Sequence, residues 1–251
     1  MAWTLAFAGK GGTGKTTLAG LVVRELVRRG TTPVLAVDSD PNSNLHMGIG
    51  LPVFKTVGQI QEEWLKSRDA IPLGVSKQEY LITTLNAAIS EGKGVDLLVM
   101  GRPQGQGCYC SANAVLRDFV AKLQPNYPAV IVDNEAGMEH LSRHTVENID
   151  ALVMVADPTP VGIVTVSRLI ELVKELNLNI PKLGLVLNRT NGELNPRIRE
   201  AVEKLNVTTF GIIPVDSAIE ELNMAERSLL ELPENSPAAV AAAKLVEAVR
   251  N

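Results

Sequence analysis

A doubly wound α/β fold, with a mainly parallel sheet and helices on both faces, is predicted by three features of this chain. Short apolar runs alternate with helix-period segments from one end to the other. The runs are nearly continuous in Val, Leu, Ile and Ala, without the polar alternation of a half-exposed strand, as strands covered on both faces require. The length, 251 residues, lies near the upper limit for one core. Alternation of this kind implies right-handed crossovers between parallel strands.

The elements follow in order. Trp3–Ala8 is the first strand, running into a glycine loop, and Thr16–Arg29 is the helix after it. Pro33–Val37 is the second strand. Within Phe54–Ala88 a helix is expected over Val57–Ser67, followed by a loop with room for short strands. Val95–Met100, Ala129–Val132, Ala151–Ala156, Leu183–Leu187 and Thr209–Ile213 complete the strands. Helices are expected over Ala112–Leu123, Val161–Leu176, Pro196–Leu205, Ser217–Arg227 and Pro237–Val249. With no internal repeat, low-complexity tract or Pro/Ser-rich linker, residues 1–251 read as one domain.

Hydrophobic residues are 45% and charged residues 21%, a globular composition. A net charge of -4 argues against a surface built to coat nucleic acid. No apolar run approaches the roughly 20 residues that span a bilayer; Ala151–Ala156 and Pro237–Ala243 are the longest candidates. Met1–Ala8 lacks a charged start and a cleavage site, and so reads as strand and not as a signal peptide. Two cysteines exclude a disulfide scaffold and suit a reducing cytosol. The expectation is a cytoplasmic protein with neither a nucleic-acid nor a membrane partner.

Gly9-Lys10-Gly11-Gly12-Thr13-Gly14-Lys15-Thr16 fits G-x-x-x-x-G-K-[ST], between a strand and a helix. The competing reading, an ordinary glycine-rich turn, leaves the full motif in its proper context unexplained. Glycines let successive backbone N–H groups converge on a triphosphate at a helix N-terminus. Lys15 puts a cation on the β/γ-phosphates, and Thr16 offers its hydroxyl to Mg²⁺. Lys10 is a second lysine early in the loop, and K-G-G-x-G-K-T-T resembles the deviant Walker ATPases, which include nitrogenase iron protein and the septum-positioning and plasmid-partitioning ATPases. The resemblance implies a homodimer in which Lys10 reaches the partner's nucleotide. It also implies nucleotide contacts at Gly11, Gly12, Thr13, Gly14, Lys15, Thr16 and Thr17.

The second strand runs into Asp38-Ser39-Asp40-Pro41-Asn42, a carboxylate pair where α/β sheets bind ligands. These are also turn residues, and a turn and a catalytic segment can coincide. In the resembled family the Asp before Pro orients the attacking water, which assigns that role to Asp40 and a Mg²⁺-shell or structural role to Asp38. Ala129-Val130-Ile131-Val132-Asp133 has the form of a Walker B strand, with Asp133 facing Mg²⁺. Gly137 matches the glycine of a second switch. His140 and His144 have helical spacing without the glutamate of a zinc-protease helix, so solvent or interface contacts are their expected role.

Leu187-Asn188-Arg189-Thr190-Asn191 stands where related GTPases carry N-K-x-D. An Asn191 amide cannot accept both guanine N–H groups, whereas Asn188 can pair with adenine's donor and acceptor edge, so the substrate is expected to be ATP. Arg189 and Pro214, the latter within Gly211–Asp216, complete the expected base contacts.

Cys108-Tyr109-Cys110 holds every cysteine of the chain. On an extended or looped segment, before a helix that Ser111 caps, two thiolates reach the separation a tetrahedral metal needs. Two small buried hydrophobes, a strained disulfide or a redox pair are equally open from spacing alone. Together with the deviant loop and Gly137-Met138-Glu139-His140-Leu141, the pair resembles the CooC-type carbon monoxide dehydrogenase maturation ATPases. That resemblance implies a dimeric ATPase in which Cys108 and Cys110 of two subunits hold Ni²⁺, or Zn²⁺ in the same site. Its client would be carbon monoxide dehydrogenase or acetyl-CoA synthase. The alternatives are a MinD/ParA-like positioning ATPase and an electron-transfer ATPase with an intersubunit iron–sulfur cluster. The alanine-rich tail Ser236–Asn251 lacks a membrane-seeking face, and Asp133–His140 lacks the cysteine that a nitrogenase-like cluster requires.

Overall fold

The computed structural model describes residues 2–66, 74–102, 109–135 and 149–251. Among the described residues eight strands form one sheet: β1 (Trp3–Gly9), β2 (Val34–Asp38), β3 (Ser90–Glu91), β4 (Val95–Val99), β5 (Ala129–Asp133), β6 (Ala151–Ala156), β7 (Lys182–Thr190) and β8 (Thr208–Pro214). The sheet order is β3-β4-β2-β5-β1-β6-β7-β8, and every pairing is parallel except the short antiparallel β3 at one edge. The fold is thus the mainly parallel, doubly wound α/β sheet expected.

The helices are α1 (Lys15–Arg28), α2 (Leu45–Ile49), α3 (Val57–Lys66), α4 (Lys77–Asn86), α5 (Tyr109–Leu123), α6 (Pro160–Glu175), α7 (Pro196–Glu203), α8 (Ser217–Met224) and α9 (Pro237–Arg250). Alternate residues of one strand serve opposite cores. Leu5 and Phe7 of β1 pack with Leu18, Val22 and Leu245, while Ala6 and Ala8 pack with Leu116, Val166 and Leu169. Burial on both faces is why these strands carry no polar alternation.

Three local expectations need correction. The loop expected after α3 contains α4, started by a capping box in which Ser76 accepts from Glu79 N (3.1 Å) and Glu79 accepts from Ser76 N (3.1 Å). The signature Ser76-Lys77-Gln78-Glu79 stood in the sequence. Helix α5 begins at Tyr109, so Ser111 lies inside its first turn and is not its cap, and Cys110 lies on helical backbone rather than on an extended loop. The third is α2, a five-residue helix directly after the expected switch segment, where no element was expected.

Register positions the site. Phe7 pairs with Asp133, Asp38 with Asp133, and Gly9 with Val155. Because β1 lies between β5 and β6 while the chain winds outward on both sides, its carboxyl end is the topological switch point. The glycine loop opens there.

Candidate functional site

The loop between β1 and α1 is shaped by glycines that no other residue replaces. Gly9 has φ +152°, and a Cβ on it would lie 2.3 Å from Val155 O. Gly14 has φ +89°, and its Cβ would lie 2.3 Å from Asn188 Nδ2. That amide donates to Thr13 O at 2.7 Å, so Asn188, on the distant β7, braces the loop from beneath. Thr13 Oγ1 closes the loop onto Lys10 O at 2.9 Å. Helix α1 then starts at Lys15 with its free N–H groups and positive dipole end toward the loop.

Lys15 is buried, and its Nζ donates to the carbonyls of Gly9 (3.2 Å) and Lys10 (3.3 Å). Burial lowers its pKa, while Asp133, Asp40 and Glu135 oppose that shift by attraction. Lys10 is exposed.

Asp133 ends β5 with a relative exposure of 1%. The Thr16 hydroxyl bonds its carboxylate, yet Oδ1 is buried without a hydrogen-bond partner among the described residues. Burial pushes its pKa up to about 6, with Thr16 and Lys15 pulling it back. An unpartnered buried carboxylate oxygen beside the Thr16 hydroxyl is an oxygen donor set for a hard cation, and Thr16 and Asp133 fit Mg²⁺.

Asp38 is fully buried, and its two oxygens accept backbone N–H groups from Asp40 (3.1 Å) and Leu45 (2.9 Å). It therefore anchors both ends of the loop carrying Asp40. Burial first, then repulsion from Asp133, pushes its pKa up to about 7. Asp40 is half-buried at the loop's start, and its Oδ1 accepts from Asn42 N at 2.8 Å, an Asx turn. Residue-by-residue reading missed two connecting side chains. Ser39 Oγ donates to Asp133 O (2.9 Å), and Asn134 Nδ2 donates to Phe7 O (2.9 Å), tying the ends of β2, β5 and β1 together.

A pocket of roughly 330 Å³ opens beside Gly14 and Thr17. Asn188, Arg189 and Pro214 line it, together with Ile219, Glu220 and Asn223 of α8, a wall that sequence reading had not assigned. Arg189, at φ +56°, reaches Asp157 at 3.8 Å across the rim. Asp216 fixes the far wall by accepting from Ala218 N (3.0 Å), Ala238 N (2.9 Å) and Ser236 Oγ. Although burial raises the Asp216 pKa, those bonds hold it below the ordinary range. Asn191 is exposed and outside this lining.

Cys108, Gly137, His140 and His144 lie outside the described residues, as does the side chain of Cys110. Among the described residues no three His, Cys, Asp or Glu side chains cluster to hold a metal ion. No helix among them is long and apolar enough to cross a membrane.

A glycine cradle closed over a buried lysine at a sheet's switch point, with a base-sized pocket alongside, defines a P-loop nucleotide-binding protein. The chain belongs to the CobQ/CobB/MinD/ParA nucleotide binding domain family, the MinD/ParA type of P-loop ATPase, whose sequence profile matches residues 5–229. It is similar to an uncharacterized ATP-binding protein of Methanocaldococcus jannaschii, with 39% identity over 92% of each chain. It is 29% identical to the carbon monoxide dehydrogenase accessory protein CooC of Rhodospirillum rubrum, over 91% of this chain and 89% of that one. Among solved structures it resembles the septum site-determining protein MinD of Pyrococcus horikoshii complexed with Mg-ADP, with a TM-score of 0.73 and 23% identity, covering 99% of this chain and 96% of that one.

Proposed function

We propose that this protein is a Mg²⁺-dependent ATPase, acting as a homodimer, that carries Ni²⁺ as cargo for a nickel enzyme such as carbon monoxide dehydrogenase or acetyl-CoA synthase. The observation that carries the ATPase part is Asp133, buried beside Lys15 and Thr16 with one oxygen unpartnered among the described residues. Thr16 and Asp133 would hold Mg²⁺, which would supply positive charge against the triphosphate. Lys15 exchanges its carbonyl partners for those oxygens, and the backbone N–H groups of Gly11 to Thr17 wrap the phosphates. Asp40 orients the water that attacks the γ-phosphorus; the bond to the bridging oxygen breaks, giving ADP and phosphate. Asp38 serves this step through the loop it anchors. Adenine enters the pocket between Asn188 and α8, with Arg189 and Pro214 at its rim.

Two further observations support the cargo. The relative CooC is similar over nine-tenths of this chain, and Cys108 and Cys110 offer two soft ligands per subunit, four in a two-fold dimer. A positioning role like that of MinD is the second reading, supported by the fold shared with MinD. Anaerobic equilibrium dialysis against Ni²⁺ separates them. One ion per dimer, lost in the Cys108→Ala/Cys110→Ala variant with ATP binding kept, is the expected outcome. Absence of stoichiometric Ni²⁺ from the wild type would overturn the cargo reading and leave the positioning one.

A further inference from the structure

Helix α8 forms one wall of the base pocket through Ile219, Glu220 and Asn223, and its start is pinned by Asp216. Its end is equally fixed: Arg227 N donates to Leu222 O (2.9 Å), and Glu226 turns the chain at φ +52°. Two residues later the chain packs onto the other side of the site. Ser228 Oγ accepts from Leu230 N (3.1 Å), opening a 3-10 turn over Leu229–Glu231, and donates to Gly48 O at 3.3 Å. Leu229, 2% exposed, fills a slot between α1 and α2. A Cβ built at Gly20 would stand 2.9 Å from Leu229 Cδ1, and one at Gly48 3.5 Å; one at Gly50 would stand 2.8 Å from Ser228 Cβ. Beyond the turn, the buried Arg24 of α1 donates from Nε to Leu232 O at 2.9 Å, so the segment is held at both ends.

The helix it presses on is α2, whose first residue, Leu45, donates to Asp38. Asp38 and the 228–229 contact are thus two fixed points of α2, and Asp40 hangs in the loop next to the first. We infer that the segment Ser228–Leu232 is a wedge coupling occupancy of the base pocket to the position of α2, with Ser228 and Leu229 as positioning residues for Asp40. This rests on the nucleotide reading above and adds a regulation to it. Adenine stiffens α8 and so tightens the hold on Leu229, which already sits in its glycine-lined slot; Leu229 in turn holds α2, and with it Asp40. The pocket and Asp40 are far apart in sequence, but a short run of packed backbone joins them, which is the kind of continuous element through which coupling passes. A phosphate ligand without a base leaves this path unused.

Hydrogen exchange with ADP and with pyrophosphate tests it, since the two differ by the nucleoside. ADP is expected to protect residues 217–224 and also 45–50, and pyrophosphate to leave 45–50 near the unliganded rate. In Leu229→Ala, ADP should still protect 217–224 while protection of 45–50 is lost; kcat should fall roughly tenfold, and ADP affinity should fall by the factor with which ADP favoured the held α2, since the coupling is reciprocal. Leu229→Met, close in volume, should restore both, which ties the effect to the filled slot, while the kept protection of 217–224 in Leu229→Ala separates it from general destabilisation. Protection of 217–224 without 45–50 in the wild type, a measurement needing no variant, overturns the coupling. Calorimetry on the same sample separates this from failure of the nucleotide reading, since a protein that binds no ADP overturns both.

Discussion

Replacing Asp38 by Asn changes the pH dependence of stability in a direction fixed by burial. The carboxyl is fully buried and its pKa is raised from 3.8 to about 7, by desolvation first and by Asp133 second. A carboxyl whose folded pKa lies above its unfolded value favours the folded state in its protonated form. Its contribution is therefore complete below about pH 4 and is lost as pH rises to about 7. Between pH 5 and pH 8 the loss spans about two pKa units, or about 3 kcal/mol at 1.36 kcal/mol per unit. Asp38→Asn has no such titration. It sets an NH₂ against one of the two N–H groups that the carboxylate accepts, a pH-independent cost of about 1–3 kcal/mol. The lead of the wild type over the variant, whatever its size at pH 5, should thus shrink by about 3 kcal/mol by pH 8. Removing Asp38 also relieves Asp133, so the measured change belongs to the pair. Urea denaturation at both pH values, without nucleotide and with chelator, measures the double difference. A lead that is the same at both would refute the argument, because it would mean that Asp38 is already ionised at no cost.

Other outcomes follow from the same geometry. Gly14→Ala should cost about 2–4 kcal/mol, from a left-handed backbone and loss of the Asn188–Thr13 bond, and should weaken ATP binding in the same titration. Asp40→Ala should bind ATP normally yet lose turnover, read by calorimetry against phosphate release, whereas Lys15→Ala should lose binding itself. With a non-hydrolysed ATP analogue, sedimentation should show a dimer for the wild type and a smaller dimer fraction for Lys10→Ala; equal fractions would confine Lys10 to its own loop.

Much of the fold could be read from local pattern. Ala151–Ala156 was delimited to the residue, and the ends of the other parallel strands shifted by a few positions at most, because a strand buried on both faces must be apolar throughout. Where local pattern was weak, reading failed for physical reasons. Helix α4 has a weakly amphipathic sequence, and only its capping box announced it. Helix α2 is five residues long, too short for a period to register. Helix α5 begins two residues ahead of Ser111, since a serine beside a helix start is also compatible with its first turn.

The candidate site divides in the same way. The cradle Gly9–Thr16 is contiguous, so its glycines, lysine and threonine were fixed by local chemistry: positive φ at Gly9, Gly12 and Gly14 demands glycine wherever the loop sits. The carboxylates at the ends of β2 and β5 were also visible as residues. What the chain alone left open was which of them meet, and how. Asp38 became an anchor of the switch loop because its oxygens meet Asp40 N and Leu45 N, and Asp133 keeps one oxygen without a hydrogen-bond partner among the described residues. Asn188 acts on Thr13 from 175 residues away, and Leu229 fills a slot made by Gly20 and Gly48. These facts depend on strand order and on the depth of burial that order produces. Local sequence selects the backbone conformation of a few residues at a time. Desolvation, hydrogen-bond partners and pKa are set by whatever the completed sheet brings alongside.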